Sequence, residues 1–172
     1  MGSQSRRIVG ILAMLLIAGV SHAADIKKPL ADTEGRRRAA ENGLKQIKEK
    51  SPQPSDQVRS AYVESATRQN AWLDVVSQGI ESASATEPNV STVAQSAAVA
   101  LVEWVNVRNR TLGLPLLAGT MADSVSKGVA QDLTDIAAQA WKDNRGADEK
   151  KRTSAVVALR ERLRWRTWEE LQ

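Results

Sequence analysis

Apolar residues recur at helical spacing through five stretches of the chain, and the densest lies between residues 90 and 119. There Val93, Ala97, Ala100, Leu101, Trp104 and Val107 share one face at about 100° per residue. Ala94, Ala98 and Val105 widen that stripe and leave Ser91, Gln95, Glu103 and Asn106 on a narrow polar strip. A helix apolar over so much of its circumference needs neighbours on several sides. The pattern predicts the central helix of a bundle. Glu103 and the scattered polar residues argue against a membrane span, which takes about 20 apolar residues in a row.

Amphipathic stretches flank this centre. Ala40, Leu44 and Ile47 predict a short first helix from about Asp32, interrupted by Gly35 and Gly43 and stopped by Ser51-Pro52. Residues 24–31 read as an extended segment, since Pro29 biases Lys28 away from helix. Ser55 and Asp56 offer capping for a second helix, about 55–80, with Val58, Tyr62, Ser65, Gln69, Trp72, Val76 and Ile80 on its inner face. Thr86 or Asn89 can cap the central helix, and Gly113 with Pro115 ends it. Thr120 and Asp123 have capping-box spacing and open a fourth helix running to about Trp141, with Val125, Val129, Leu133, Ile136 and Ala140 inward. After the stop at Asn144-Arg145-Gly146, a fifth helix is predicted over 147–171, with Val156, Leu159, Leu163, Thr167 and Leu171 on one side. Arg160, Arg162, Arg164 and Arg166 alternate in strand fashion within it, but the flanking TSAVVAL favours helix. The expected fold is all-α, a bundle of four to five helices in one domain, 24–172.

The N-terminus has the pattern of a secretory signal peptide over residues 1–23. Arg6 and Arg7 precede the apolar run 8–20, and Ser21-His22-Ala23 supplies a small-x-small cleavage site. Cleavage after Ala23 predicts an exported protein without a stable membrane anchor. The chain has no cysteine, and an exported protein without disulfides fits a periplasm. From Ala24 on, 22 basic side chains face 20 acidic ones. That near-balance carries no expectation of nucleic-acid binding, which shows as a concentrated basic face.

The sole histidine, His22, falls within the leader. Residues 24–172 therefore hold neither His nor Cys, which excludes Ser-His-Asp and Cys-His nucleophiles, His/Cys zinc sites and thiol chemistry there. No glycine-rich phosphate loop is present either. No cofactor, metal or catalytic residue is expected. Carboxylate chemistry survives the exclusion, with peptidoglycan hydrolysis as its exported form. Tyr62-Val63-Glu64-Ser65 resembles, over four residues, the Glu-Ser pair of lytic transglycosylases. Ala66 and Thr67 replace the glycine and aromatic that should follow, and no Gly-Leu-Met-Gln-like segment comes later. Asp132 with Asp135, three apart on one helix, and Glu103 beside Trp104 are the remaining acidic candidates; each also fits a solvated helix face.

Two features point to binding. On a helical wheel Trp165 falls opposite the apolar face of the fifth helix, flanked there by Glu161 and Arg162 and in sequence by Arg164 and Arg166, with Trp168 three residues on. Tryptophan and arginine are the residue types enriched at interface hot spots. Such residues either pack on a neighbouring element, stack on a partner, or meet an anionic surface. The connector Leu112-Gly113-Leu114-Pro115-Leu116-Leu117 has four leucines in six residues. Either they plug the end of the core, or Leu114, Leu116 and Leu117 dock on a partner. The functional expectation is a periplasmic, non-catalytic accessory or adaptor protein that binds a protein of the cell envelope through helix faces. Small helical subunits of secretion or conjugation machines have this character. A carboxylate-based peptidoglycan hydrolase and a binder of anionic envelope surfaces through the C-terminal Arg/Trp helix are the alternatives.

Overall fold

A computed structural model describes residues 26–172. The signal peptide expected over 1–23 lies outside the described residues. Five helices follow in order: α1 (Lys27–Lys50), α2 (Asp56–Glu81), α3 (Ser91–Leu112), α4 (Gly119–Asn144) and α5 (Glu149–Leu163), with a 3-10 turn at Glu169–Leu171. No strand occurs among the described residues. The fold is all-α, as the periodicity requires.

Three boundaries differ from the sequence reading. The stretch expected to be extended is helical from Lys27, because Pro29 occupies the first turn of α1, where its missing N–H has no intrahelical acceptor to lose. Pro29 is buried there, and Thr33 Oγ donates to its carbonyl at 2.8 Å. The capping box at Thr120 and Asp123 does not form; the N-cap is Ala118, two residues earlier, and has no side-chain cap. Finally, α5 stops at Leu163, and Arg164 is extended (φ −63°, ψ 125°) rather than helical. The expected cap at Ser55 forms, accepting from Val58 N at 3.4 Å. Asp148 caps α5, accepting from Lys151 N at 2.8 Å. Neither Thr86 nor Asn89 caps α3, which begins after Val90 without a side-chain cap; Asn89 accepts from Ser91 N at 3.2 Å in the turn before it.

The helices alternate in direction. Tyr62 of α2 meets Trp104 of α3, while Gln69 Nε2 donates to the Ala97 carbonyl at 3.1 Å, so these two run antiparallel. Asn106 meets Leu117, and Gln95 meets Ser126, so α3 and α4 are antiparallel too. The most extensive packing is α2 on α3 and α3 on α4, which makes α3 the centre. Ala94, Ala97 and Ala98 are fully enclosed, and their small size lets α2 come close enough for the Gln69 bond. α1 lies against α3 and α4 but shares almost no direct contact with α2. α5 touches both α1 and α2, and the segment after it enters the space between them. No helix among the described residues is long and apolar enough to cross a membrane.

Candidate interaction surfaces

Past Leu163 the chain behaves as a strand without a sheet. Arg164 and Arg166 face outward while Trp165 between them is 2% exposed, and Trp168 is buried three residues after it. Both indoles pack on Tyr62, with ring centroids at 6.1 and 5.9 Å, and Tyr62 in turn meets Trp104 edge-on at 5.3 Å and 81°. From Trp165 to Thr167 the backbone lies between the end of α5 and the 3-10 turn, and side chains supply the hydrogen bonds it makes. Asn70 clamps Trp165 from both sides: its Nδ2 donates to the Trp165 carbonyl at 3.1 Å and its Oδ1 accepts from Trp165 N at 3.0 Å. Tyr62 Oη donates to the Arg166 carbonyl at 3.1 Å, and Lys48 Nζ donates to the Leu171 carbonyl at 2.9 Å. Burial pushes the Tyr62 phenol well above its usual range, and nearby Glu41 adds to the effect.

The basic residues around this segment are paired within the molecule. Arg160 contacts Asp74 at 2.8 Å, Arg162 contacts Glu34 at 2.6 Å, Arg164 contacts Glu170 at 2.7 Å and Arg166 approaches Glu41 at 3.7 Å. The Thr167 N–H and the Arg164 guanidinium hold the Glu170 carboxyl below the usual carboxylate range. Trp165 and Trp168, candidates for a partner surface by sequence, are thus core residues. The correction has a simple cause. A wheel drawn through 147–171 assumes one continuous helix, whereas leaving the helix after Leu163 turns Trp165 inward. Arg162, Arg164 and Arg166 stay at the surface with acidic partners.

The α3–α4 connector has the opposite outcome. Leu117 alone is buried and closes the end of the core; Leu114 and Leu116 are 46% and 44% exposed, and Pro115 between them is exposed too. Two asparagines of α3 hold the loop. Asn106 donates to the Leu117 carbonyl at 2.9 Å and accepts from Leu117 N at 2.7 Å, repeating the two-sided clamp of Asn70. Asn109 Nδ2 donates to the Pro115 carbonyl at 2.7 Å, while its Oδ1 accepts from the Arg108 guanidinium at 2.9 Å. Leu114 N donates to the Asn109 carbonyl at 2.7 Å, in the manner of a helix-terminating turn. Gly113 at φ +68° and Gly119 at φ +52° bracket the loop in a conformation that side chains with a Cβ rarely adopt. The two leucines are therefore presented on a fixed backbone. Sequence reasoning singled out the leucines but passed over Asn106 and Asn109, whose three-residue spacing on α3 is the signal that was there to find.

The acidic candidates do not converge. Glu64 is exposed on α2 and bonded to Arg68 at 2.6 Å. Asp132 takes Arg36 across the α1–α4 contact at 2.9 Å; its carboxyl is raised by burial, against the pull of that arginine. Asp135 instead accepts from Gln131 at 2.8 Å on the same helix, and Glu103 is exposed. No group of three or more His, Cys, Asp or Glu among the described residues is placed to share a metal ion. A depression of about 330 Å³ between α1 and the 3-10 turn is lined by Glu41, Lys45, Lys48 and Leu171, with Asn42 and Leu44. Glu41 there is already engaged by Arg37 at 2.8 Å. No protein-family model matches the chain, and no match is found among curated proteins or solved structures.

Proposed function

We propose that this chain is an exported, non-catalytic adaptor that binds a protein of the cell envelope, and that Leu114-Pro115-Leu116 is the part it presents. The observation that carries the reading is the pairing of exposure with rigidity in that loop: two leucines nearly half exposed on a backbone clamped by Asn106 and Asn109. A leucine side chain taken fully out of water gains roughly 1.5–3 kcal/mol. Two half-exposed ones therefore hold about that much in reserve for a partner. Because the loop is already fixed, little of that gain is lost to ordering it on binding. The Arg/Trp region supports this choice by elimination, since its indoles are spent in the core and its arginines on internal carboxylates. The signal-peptide pattern supplies the location.

A photo-crosslinking side chain placed at position 116 tests the proposal in cells that export the protein. The expected result is one discrete protein adduct, absent when the same probe replaces Val157 on the outer side of α5. Equal labelling from both positions, or none, would set the adaptor reading aside. Peptidoglycan clearing by the purified protein, abolished by Glu64→Gln, would replace it with a hydrolase.

A further inference from the structure

The space between α1 and α2 is built like a receptor for an extended peptide. Its walls stand without the segment that fills it, since α1 is carried by α3 and α4, and α2 by the same two helices. Every hydrogen bond named above to the occupant is made from a wall side chain to occupant backbone: Asn70 to both sides of Trp165, Tyr62 to Arg166, Lys48 to Leu171. Specificity comes from two indole sites three residues apart.

The element that delivers the occupant is held far less firmly than its tip. Of the fifteen residues of α5 only Val156 and Leu163 are buried, and Val157 is 50% exposed. The hinge at 145–148 has no buried residue. A loosely attached arm about 22 Å long, ending in a strongly anchored tip, is the arrangement that exchange between identical chains requires. We propose that the α1/α2 space is an acceptor site for an extended two-tryptophan segment, and that a second copy of this chain fills it with its own residues 164–172. The two copies then hold each other reciprocally, with the same contacts each makes alone. Covalent linkage gives the chain's own segment an effective concentration of millimolar order, so exchange grows with protein concentration and does not replace the closed form when dilute.

The absence of cysteine makes the test clean. Arg59 on the α2 wall and Glu169 on the seated segment face each other at 3.6 Å, both more than half exposed. One full-length population carries Arg59→Cys and another Glu169→Cys; they are mixed at high concentration, warmed, cooled and treated with a short bismaleimide. A covalent heterodimer is expected, with a yield that rises with concentration. Adding Trp165→Ala to the Glu169→Cys chain spoils the travelling segment and should cut the yield at least about tenfold. Adding it instead to the Arg59→Cys chain empties the acceptor and should raise the yield. Where Trp165→Ala prevents folding, Trp168→Leu makes the same comparison. A heterodimer indifferent to these changes is random collision and overturns the proposal. So does its absence while a single chain with both cysteines closes on itself. Sedimentation of the unaltered chain gives an independent readout: monomer alone up to millimolar concentration after the same treatment also overturns it.

Discussion

Tyr62 is the only tyrosine in the chain and is fully buried against Trp104, Trp165 and Trp168. Its phenol is raised well above the ordinary value near 10 by burial first and by Glu41 second. The unfolded chain therefore releases this proton before the folded one does. Stability supplied by the protonated phenol is complete below about pH 10 and is lost as pH rises from there toward the folded value. Tyrosinate absorbance followed against pH should stay flat above pH 10 and appear only with unfolding. In Tyr62→Phe the alkaline loss should be shallower, although the variant gives up the bond to the Arg166 carbonyl. Asn70 is the second residue on which the segment depends. Asn70→Ala leaves the Trp165 N–H and C=O without their partner and should cost about 1–3 kcal/mol in urea unfolding. Neither residue's role was readable in advance. Tyr62 was placed on the inner face of α2 by periodicity, but nothing in sequence says that an asparagine eight residues later will hold a segment almost a hundred positions away.

At the scale of elements, most helices followed from their spacing, and the failures share a cause. Helix propensity for residues 164–171 is a matter of tenths of a kcal/mol per residue. Burying an indole removes some 150–250 Å² from water, which at about 25 cal/mol per Å² is several kcal/mol before the compactness of the unfolded chain is discounted. Two indoles facing the space between α1 and α2 therefore outweigh one more turn or two of helix. The alternation of Arg164, Trp165 and Arg166 was the visible trace of that outcome, and the helical flank masked it. The connector between α3 and α4 gives the complementary lesson. Its leucines suggest a plug, yet Leu117 alone is buried, with Leu112 partly so, because the Asn106 clamp draws Leu117 inward and leaves Leu114 and Leu116 outside. Asn106→Ala should lower stability by about 1–3 kcal/mol and speed amide exchange at Leu117. Leu114→Ser should shift the urea midpoint by no more than the equivalent of about 0.5 kcal/mol while removing the adduct expected from a crosslinker at position 116. If Leu114→Ser destabilises as a core substitution does, the loop is a plug after all.

For the molecule as a whole, the Trp-rich and Leu-rich regions have opposite tasks. The 164–172 segment completes the core where α1 and α2 stand apart, and the 114–116 loop stays outside it. A stretch of 149 residues without His or Cys must rest on apolar burial and has carboxylates as its remaining candidates for acid-base catalysis near neutral pH. What composition and periodicity did not convey is which aromatic residues the core would claim, because that depends on a gap between two helices distant in sequence. Asp132 adds a minor term at this scale. Its folded pKa is raised by burial, so its protonated form favours folding below its unfolded value and that contribution fades as pH climbs through the folded one. Asp132→Asn should thus gain relative to the native side chain at neutral pH, offset by the weakened Arg36 contact. The most direct test of the division of tasks is urea unfolding of full-length Trp165→Ala. A core indole predicts a loss of about 3–5 kcal/mol; a midpoint unchanged within the equivalent of about 0.5 kcal/mol would place Trp165 at the surface and contradict the account.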